Sequence, residues 1–255
     1  MRIKLVVAYD GTNYCGWQLQ NNGITIEEVL NKALSTLCNE EIQVIGASRT
    51  DAGVHALGNV AVFDTASRIP AEKFSYALNQ RLPEDIRIQH SEQVADDFHP
   101  RYCDSTKTYE YHILNAPFEQ PIGRQYAHFV YRKLDIEAMR TAAGYIVGEH
   151  DFKSFCSVGS QVKTTVRTVY SLDVIKEGMD ITLRITGNGF LYNMVRIIAG
   201  TLLEVGMGMY PPEKLKEIIE AKDRQAAGPT APARGLRLIE IVYKNANSTL
   251  LDNKS

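Results

Sequence analysis

The chain has little of what would place it outside the cell, in a membrane or around a metal. Its four cysteines, Cys15, Cys38, Cys103 and Cys156, are scattered with no close pair. That pattern argues against both a zinc site and a secreted disulfide framework, and reads as reduced structural thiols. The six histidines are equally dispersed, and His55, His99 and His112 lack the spacing of metal ligands on one helix, so no metal is expected. No apolar run approaches the roughly 18 residues of a membrane helix. Met1-Arg2-Ile3-Lys4 runs straight into a strand pattern without an apolar leader, so the expected location is the cytoplasm. There is neither a Gly-x-x-x-x-Gly-Lys phosphate loop nor a dinucleotide fingerprint, which sets nucleotide-dependent chemistry aside. An excess of positive charge is missing too: 28 Lys and Arg against 30 Asp and Glu leave a formal net charge of −2. Nucleic acid, if bound, must be held by local clusters of cations, because phosphate binding is driven by displaced counterions.

What is present suffices for a real core: 255 residues, 44% hydrophobic. Hydrophobic alternation predicts a strand over 2–9. Helical spacing over 25–38 begins with a Thr25-x-x-Glu28 capping box. Strands near 42–46 and 58–64, a helix from Pro70 to about Leu82 and a strand near 86–94 complete a β-α-β-β-α-β series. A second series follows, with strands at 107–114, 165–175, 180–186 and 236–243 and helices at 135–147 and 191–205. The fold class predicted is α+β, two ferredoxin-like halves with a central cleft between them. The expected division is 1–100 and 101–245, with a break around Asp96-Asp97-Phe98-His99-Pro100 and a flexible tail over 246–255.

Chemistry concentrates in the run Gly46-Ala47-Ser48-Arg49-Thr50-Asp51-Ala52-Gly53-Val54-His55-Ala56. It is a polar turn between two strands, able to aim one carboxylate and one guanidinium. Strand alternation puts Lys107, Tyr109, Tyr111 and Ile113 on one face, where aromatics beside a cation suit either a nucleobase or the core. Arg101, Lys107, Arg124, Arg132, Lys133, Arg140, Lys163 and Arg167 make the middle third basic. Arg196 lies on a helix apolar on nearly every side, with its nearest helical acid, Glu204, out of reach. A buried cation needs a carboxylate from elsewhere, and Asp51 is the candidate. Asn188, flanked by glycines, reads as a tight turn. Gly228-Pro229-Thr230-Ala231-Pro232-Ala233-Arg234-Gly235 reads as a stiff loop of small side chains able to wall a flat ligand. His55 is expected to brace the turn by hydrogen bonding.

Six runs taken together resemble the tRNA pseudouridine synthase A family across nearly the whole chain. They are Tyr9-Asp10-Gly11-Thr12 with Gly16-Trp17-Gln18; Ser48 to Ala56; Lys107-Thr108-Tyr109-Glu110-Tyr111; Gly148-Glu149-His150-Asp151-Phe152; Gly187-Asn188-Gly189-Phe190-Leu191 through Met194-Val195-Arg196; and Thr230-Ala231-Pro232-Ala233 with Gly235-Leu236. The resemblance implies an isomerase that converts uridines of the tRNA anticodon stem-loop, at positions 38, 39 and 40, to pseudouridine without cofactor or metal. It implies Asp51 as the catalytic residue, attacking C1′ or C6 or taking a proton from C2′. Tyr109 is implied against the flipped uracil, Arg49 as the side chain that replaces the extruded nucleotide, and Arg196 as the partner of the aspartate. Homodimers with tRNA lying across both subunits are implied as well. Two positions depart from the family pattern: Asn59, where glutamine is usual, and Pro100, where alanine is common; the first is expected to alter hydrogen bonding behind the turn, and neither to abolish activity. Two rival readings are a non-catalytic RNA-binding protein, which has no use for the carboxylate, and a hydrolase of small N-glycosides, which would liberate free base.

Overall fold

The computed structural model describes residues 1–159 and 162–244. The tail expected over 246–255 lies outside the described residues.

Strand β1 (Arg2–Tyr9) buries Ile3, Leu5, Val7 and Tyr9 and leaves the alternate residues half-buried, as a one-sided strand requires. Helix α1 (Ile26–Cys38) starts where expected: the Thr25 hydroxyl accepts from the Glu28 amide at 3.3 Å, and Ile26, Leu30 and Leu34 pack inward. Strand β2 (Ile45–Gly46) is shorter than the expected 42–46. The reason is competition for donors, since the Ile42 amide donates to Ser35 Oγ at 2.9 Å and the Val44 amide to Asn31 Oδ1 at 2.8 Å. Helix α1 thereby takes the backbone groups a ladder would have used. After β3 (His55–Asp64), a 3-10 turn at Ala71–Lys73 leads into a short α2 (Phe74–Asn79) rather than one helix from Pro70 to Leu82. Asn79 ends it by pairing side chain to backbone with Ile88 of β4 (Ile86–Val94), accepting from its amide at 2.8 Å and donating to its carbonyl at 2.9 Å.

The second series runs β5 (Ser105–Asn115), β6 (His128–Val130), α3 (Ile136–Gly144), β7 (Gly148–Asp151), β8 (Val166–Glu177), β9 (Asp180–Gly187), α4 (Met194–Gly206), α5 (Lys214–Ala221) and β10 (Leu236–Tyr243). Of these, β6, β7 and α5 had no counterpart in the pattern read from the sequence. All ten strands join in one sheet, in the order β4-β1-β3-β10-β5-β9-β8-β7, with β2 on β3 and β6 on β5. The order β4-β1-β3-β2 in the first repeat recurs as β10-β5-β9-β8 in the second. Their junction is a short parallel contact of β10 with β3, Arg237 opposite His55 and Leu238 opposite Ala56.

One continuous apolar cluster runs from Leu5 through Tyr111 to Ile197 and Leu202, so both repeats share a core. On the alternate side of the sheet Glu110 sits opposite both Arg184 and Arg237 and accepts from them at 2.7 and 2.9 Å. Cross-strand pairs of this kind tie β9, β5 and β10 together beside the junction.

Candidate active site

The turn over 47–54 connects β2 to β3 at the junction of the repeats, and two sets of contacts hold it. Behind it stands Asn59 of β3, fully buried. Its Oδ1 accepts from the amides of Ser48 and Val60 at 3.3 and 2.9 Å, while its Nδ2 donates to the Ser48 carbonyl at 3.0 Å and to the Tyr9 hydroxyl at 3.3 Å. The Tyr9 hydroxyl is in turn 2.7 Å from Thr50 Oγ1. The family departure at position 59 therefore falls on the side chain that brackets the turn. In front, the Trp17 amide donates to the Thr50 carbonyl at 3.0 Å and the Gly53 amide to the Tyr14 carbonyl at 3.3 Å. Gly16 permits this approach: its φ is +86°, and a Cβ there would lie 2.5 Å from the Thr50 carbonyl oxygen. His55 braces the turn's exit, with the Gly11 amide donating to its Nδ1 at 3.0 Å and its Nε2 facing the Gln125 carbonyl at 3.1 Å.

Asp51 projects from this bracket toward the second repeat. Its Oδ2 lies 3.1 Å from Arg196 Nη1, and the two side chains are 24% and 17% exposed. Burial pushes the Asp51 carboxyl above its ordinary pKa, and the adjacent guanidinium opposes that shift. Arg196 is fixed at three points: besides Asp51, its Nε donates to the Ala231 carbonyl at 2.8 Å and its Nη1 to Asn193 Oδ1 at 2.8 Å. The loop of small residues over 228–235 thus supplies a backbone acceptor, and its Ala231 amide donates back to the Arg196 carbonyl at 3.1 Å. Asn193 precedes α4 in the left-handed region, at φ 60°, which asparagine tolerates better than most residues. Its side chain orients the arginine instead of capping the helix.

Tyr109 of β5 is buried and meets Phe190 edge to face, with centroids 5.3 Å apart. Burial pushes its phenol up to about 12, against hydrogen bonding to Ser48 and with the Asp51 charge adding to the rise. The group is a phenol, not a phenolate, at neutral pH. Tyr111, two residues on, belongs to the core instead and donates its hydroxyl to the Pro232 carbonyl at 2.9 Å. Lys107 reaches the turn from the same strand, its Nζ 3.1 Å from the Ala47 carbonyl and 3.0 Å from Ser48 Oγ. Arg49 is exposed, and among the described residues its guanidinium makes no hydrogen bond or ion pair.

Asp51, Tyr109 and Arg196 are therefore brought together, with Arg49 on the rim beside them. Of the basic middle third, Lys107 reaches the turn, Arg101 donates its Nε to the Gly46 carbonyl just before it at 2.7 Å, and the Arg167 charge acts on Lys107, whereas Arg140 is tied to Glu137 and the Val174 carbonyl. The sequence reading missed Asn193, although an amide three residues before an arginine on one helix face is a legible signal. It gave Ser48 no role of its own, and it placed the departure at Asn59 behind the turn without naming the groups it would hold. Their partners come from other elements, so nothing local marks them.

Two β-α-β-β-α-β repeats fused edge to edge, with a carboxylate loop over the junction, define the pseudouridine synthase class of α+β fold. Similarity to known proteins agrees with this class. The chain belongs to the tRNA pseudouridine synthase family, whose model matches residues 5–103 and 142–244. It is 51% identical over 243 residues to the tRNA pseudouridine synthase A of Ruminiclostridium cellulolyticum, covering 95% of this chain and 99% of that one. The tRNA pseudouridine synthases A of Thermoanaerobacter pseudethanolicus and Brevibacillus brevis are each 50% identical, over 241 and 242 residues, covering 94% and 95% of this chain and 99% of theirs.

Proposed function

We propose that this tRNA pseudouridine synthase acts on uridines of the anticodon stem-loop and that Asp51 is its catalytic residue. The observation that carries the reading is the ion pair of Asp51 with Arg196 at 3.1 Å in a partly dry site. An isolated carboxylate there would take up a proton, and a protonated acid is neither a nucleophile nor a base. Arg196 favours the ionised form while leaving Asp51 Oδ1 available to the ribose. The reaction breaks N1–C1′, turns the uracil and joins C5 to C1′. C5 loses a proton and N1 gains one, so no water is consumed. This accounts for a single carboxylate in the signature turn, where glycoside hydrolysis uses two.

A stacked uridine cannot reach Asp51, so the nucleotide is extruded at a cost of a few kcal/mol. Arg49, exposed beside the carboxylate and unpaired among the described residues, suits the vacated stack. Tyr109 offers the face and hydroxyl that receive the base. Arg49, Arg101 and Arg167 give a local cationic rim in a chain of net charge −2, and a homodimer would extend that rim across two subunits in the cytoplasm. No helix among the described residues is long and apolar enough to cross a membrane.

The decisive experiment replaces Asp51 with Ala and follows tRNA binding together with tritium release from C5-labelled uridine. Retained binding with release abolished is expected. Continued turnover removes Asp51 from the chemistry, and appearance of free uracil turns the reading toward a hydrolase.

A further inference from the structure

Lys107 points its amine into the catalytic turn instead of outward. Both of its resolved partners belong to that turn: the Ala47 carbonyl at 3.1 Å and Ser48 Oγ at 3.0 Å. Ser48 is buried, and it is the side chain that opposes the burial-driven rise of the Tyr109 phenol. Lys107 and Tyr109 are two residues apart on the same face of β5, so the hydroxyl that Lys107 holds lies beside the face that carries the phenol. The structure thus holds the Ser48 hydroxyl on the Lys107 amine, against the strand face that also carries the Tyr109 phenol.

We propose that Lys107, acting through Ser48, is the terminal acceptor of the proton that leaves C5 of the uracil, with Tyr109 as the first station. This rests on the reading of Tyr109 as the residue facing the base. Once C5 has joined C1′, the C5–H pair forms the C5=C6 bond and the N1=C6 pair moves onto N1. The C5 proton passes to the Tyr109 oxygen as the phenol proton moves to Ser48 Oγ. The Ser48 proton in turn moves to the lone pair of neutral Lys107, giving its ammonium. N1 takes a proton from water and the ammonium returns one, so the cycle is balanced.

The surroundings suit an acceptor. The charged groups acting on Lys107 are Arg49 of the turn, Arg101 of the segment linking β4 to β5, and Arg167 of β8, all cations. Tyr109 is its titratable neighbour on β5 and Asp51 acts on Tyr109. Burial and the three arginines push the lysine down to about 8, so a working fraction is neutral in the physiological range. A lysine kept only to hold RNA phosphate would face outward and keep its charge.

The test compares full-length wild type with Lys107→Arg, Lys107→Met, Ser48→Ala and Tyr109→Phe. The readouts are kcat and KM for tRNA, the pH profile, and the isotope effect of uridine deuterated at C5. Arginine restores the charge and donors but accepts no proton. Both lysine variants should therefore lose kcat by about 100-fold or more, with KM within about threefold of wild type. Their C5 isotope effect should rise as that bond cleavage becomes the slow step. The wild-type rise of kcat with pH through about 8 should be missing from both. Wild-type kcat in Lys107→Arg, or a loss without change in the isotope effect, overturns the relay. Ser48→Ala decides the same question if a lysine variant does not fold. If Tyr109→Phe alone is slowed, with a raised isotope effect, only the relay fails. If Tyr109→Phe turns over like wild type, the reading of Tyr109 itself fails.

Discussion

Arg196→Met tests whether the guanidinium acts on the charge of Asp51 or merely fills space. Methionine keeps most of the stem's apolar contact within α4 and removes the cation. Coulomb's law across 3.1 Å gives about 1 kcal/mol at the permittivity of water and about 5 kcal/mol at an effective value near 20. With Asp51 about one quarter exposed, the site falls between these limits, at about 2–3 kcal/mol. At 1.36 kcal/mol per decade this shifts the Asp51 equilibrium toward the neutral acid about 30- to 150-fold. Burial already acts in that direction, so the variant's rate should climb with pH across a window where wild type is flat. Single-turnover tritium release from pH 5 to 9 measures this directly. A uniform fall with an unchanged profile refutes the electrostatic account and assigns Arg196 to its contacts with Ala231 and Asn193.

Tyr109→Phe keeps the ring against Phe190 and removes the hydroxyl, so tRNA affinity and melting temperature should stay near wild type while kcat falls about 100-fold or more. Arg49→Ala should leave stability within about 0.5 kcal/mol, because the side chain is exposed, and should lower kcat/KM at least about tenfold by removing the filler of the vacated stack. Asn59→Ala strands the Ser48 and Val60 amides and the Ser48 carbonyl. At about 1–3 kcal/mol for each unsatisfied buried group, partly relieved by water, chemical denaturation should show a loss of at least about 2 kcal/mol. Asp51→Asn should unfold later than wild type at neutral pH. A carboxyl raised on folding binds more protons folded than unfolded, so its contribution falls as pH rises through the folded value, and the gain in melting temperature should be larger at pH 8 than at pH 5.

Strands whose backbone donors meet other strands were legible from alternation. The ranges 2–9, 86–94 and 236–243 read from the sequence match β1, β4 and β10 residue for residue. Alternation failed where side chains compete for those donors, as Asn31 and Ser35 do before β2. The helix from Pro70 failed similarly, because Asn79 docks on Ile88 across a strand the local sequence does not contain. Within the site, Asp51 and Arg196 could be linked without coordinates because a cation on an apolar helix demands a partner. For Asn59 the family departure pointed behind the turn, but its partners could not be read, since the four groups come from three segments.

The place of the site at the junction follows from the same physics. Asp51 and Arg49 come from the first repeat, and Lys107, Tyr109 and Arg196 from the second, so neither repeat holds the proposed site by itself. The sheet contact between the repeats is two residue pairs of β10 on β3, at the end of β3 where the turn over 47–54 enters. Pairing farther along β3 is left to β2, and beyond the Ala47 amide, which donates to the Val60 carbonyl at 2.7 Å, the peptide groups of the turn look to other partners. Those groups are satisfied by Asn59 behind and by the backbone of residues 14–17 in front. That exchange lets a carboxylate stand over the sheet at a fixed distance from α4 without either being part of a regular ladder. A longer β3–β10 ladder would bind the repeats more firmly and narrow the gap that the proposed extrusion of the base requires.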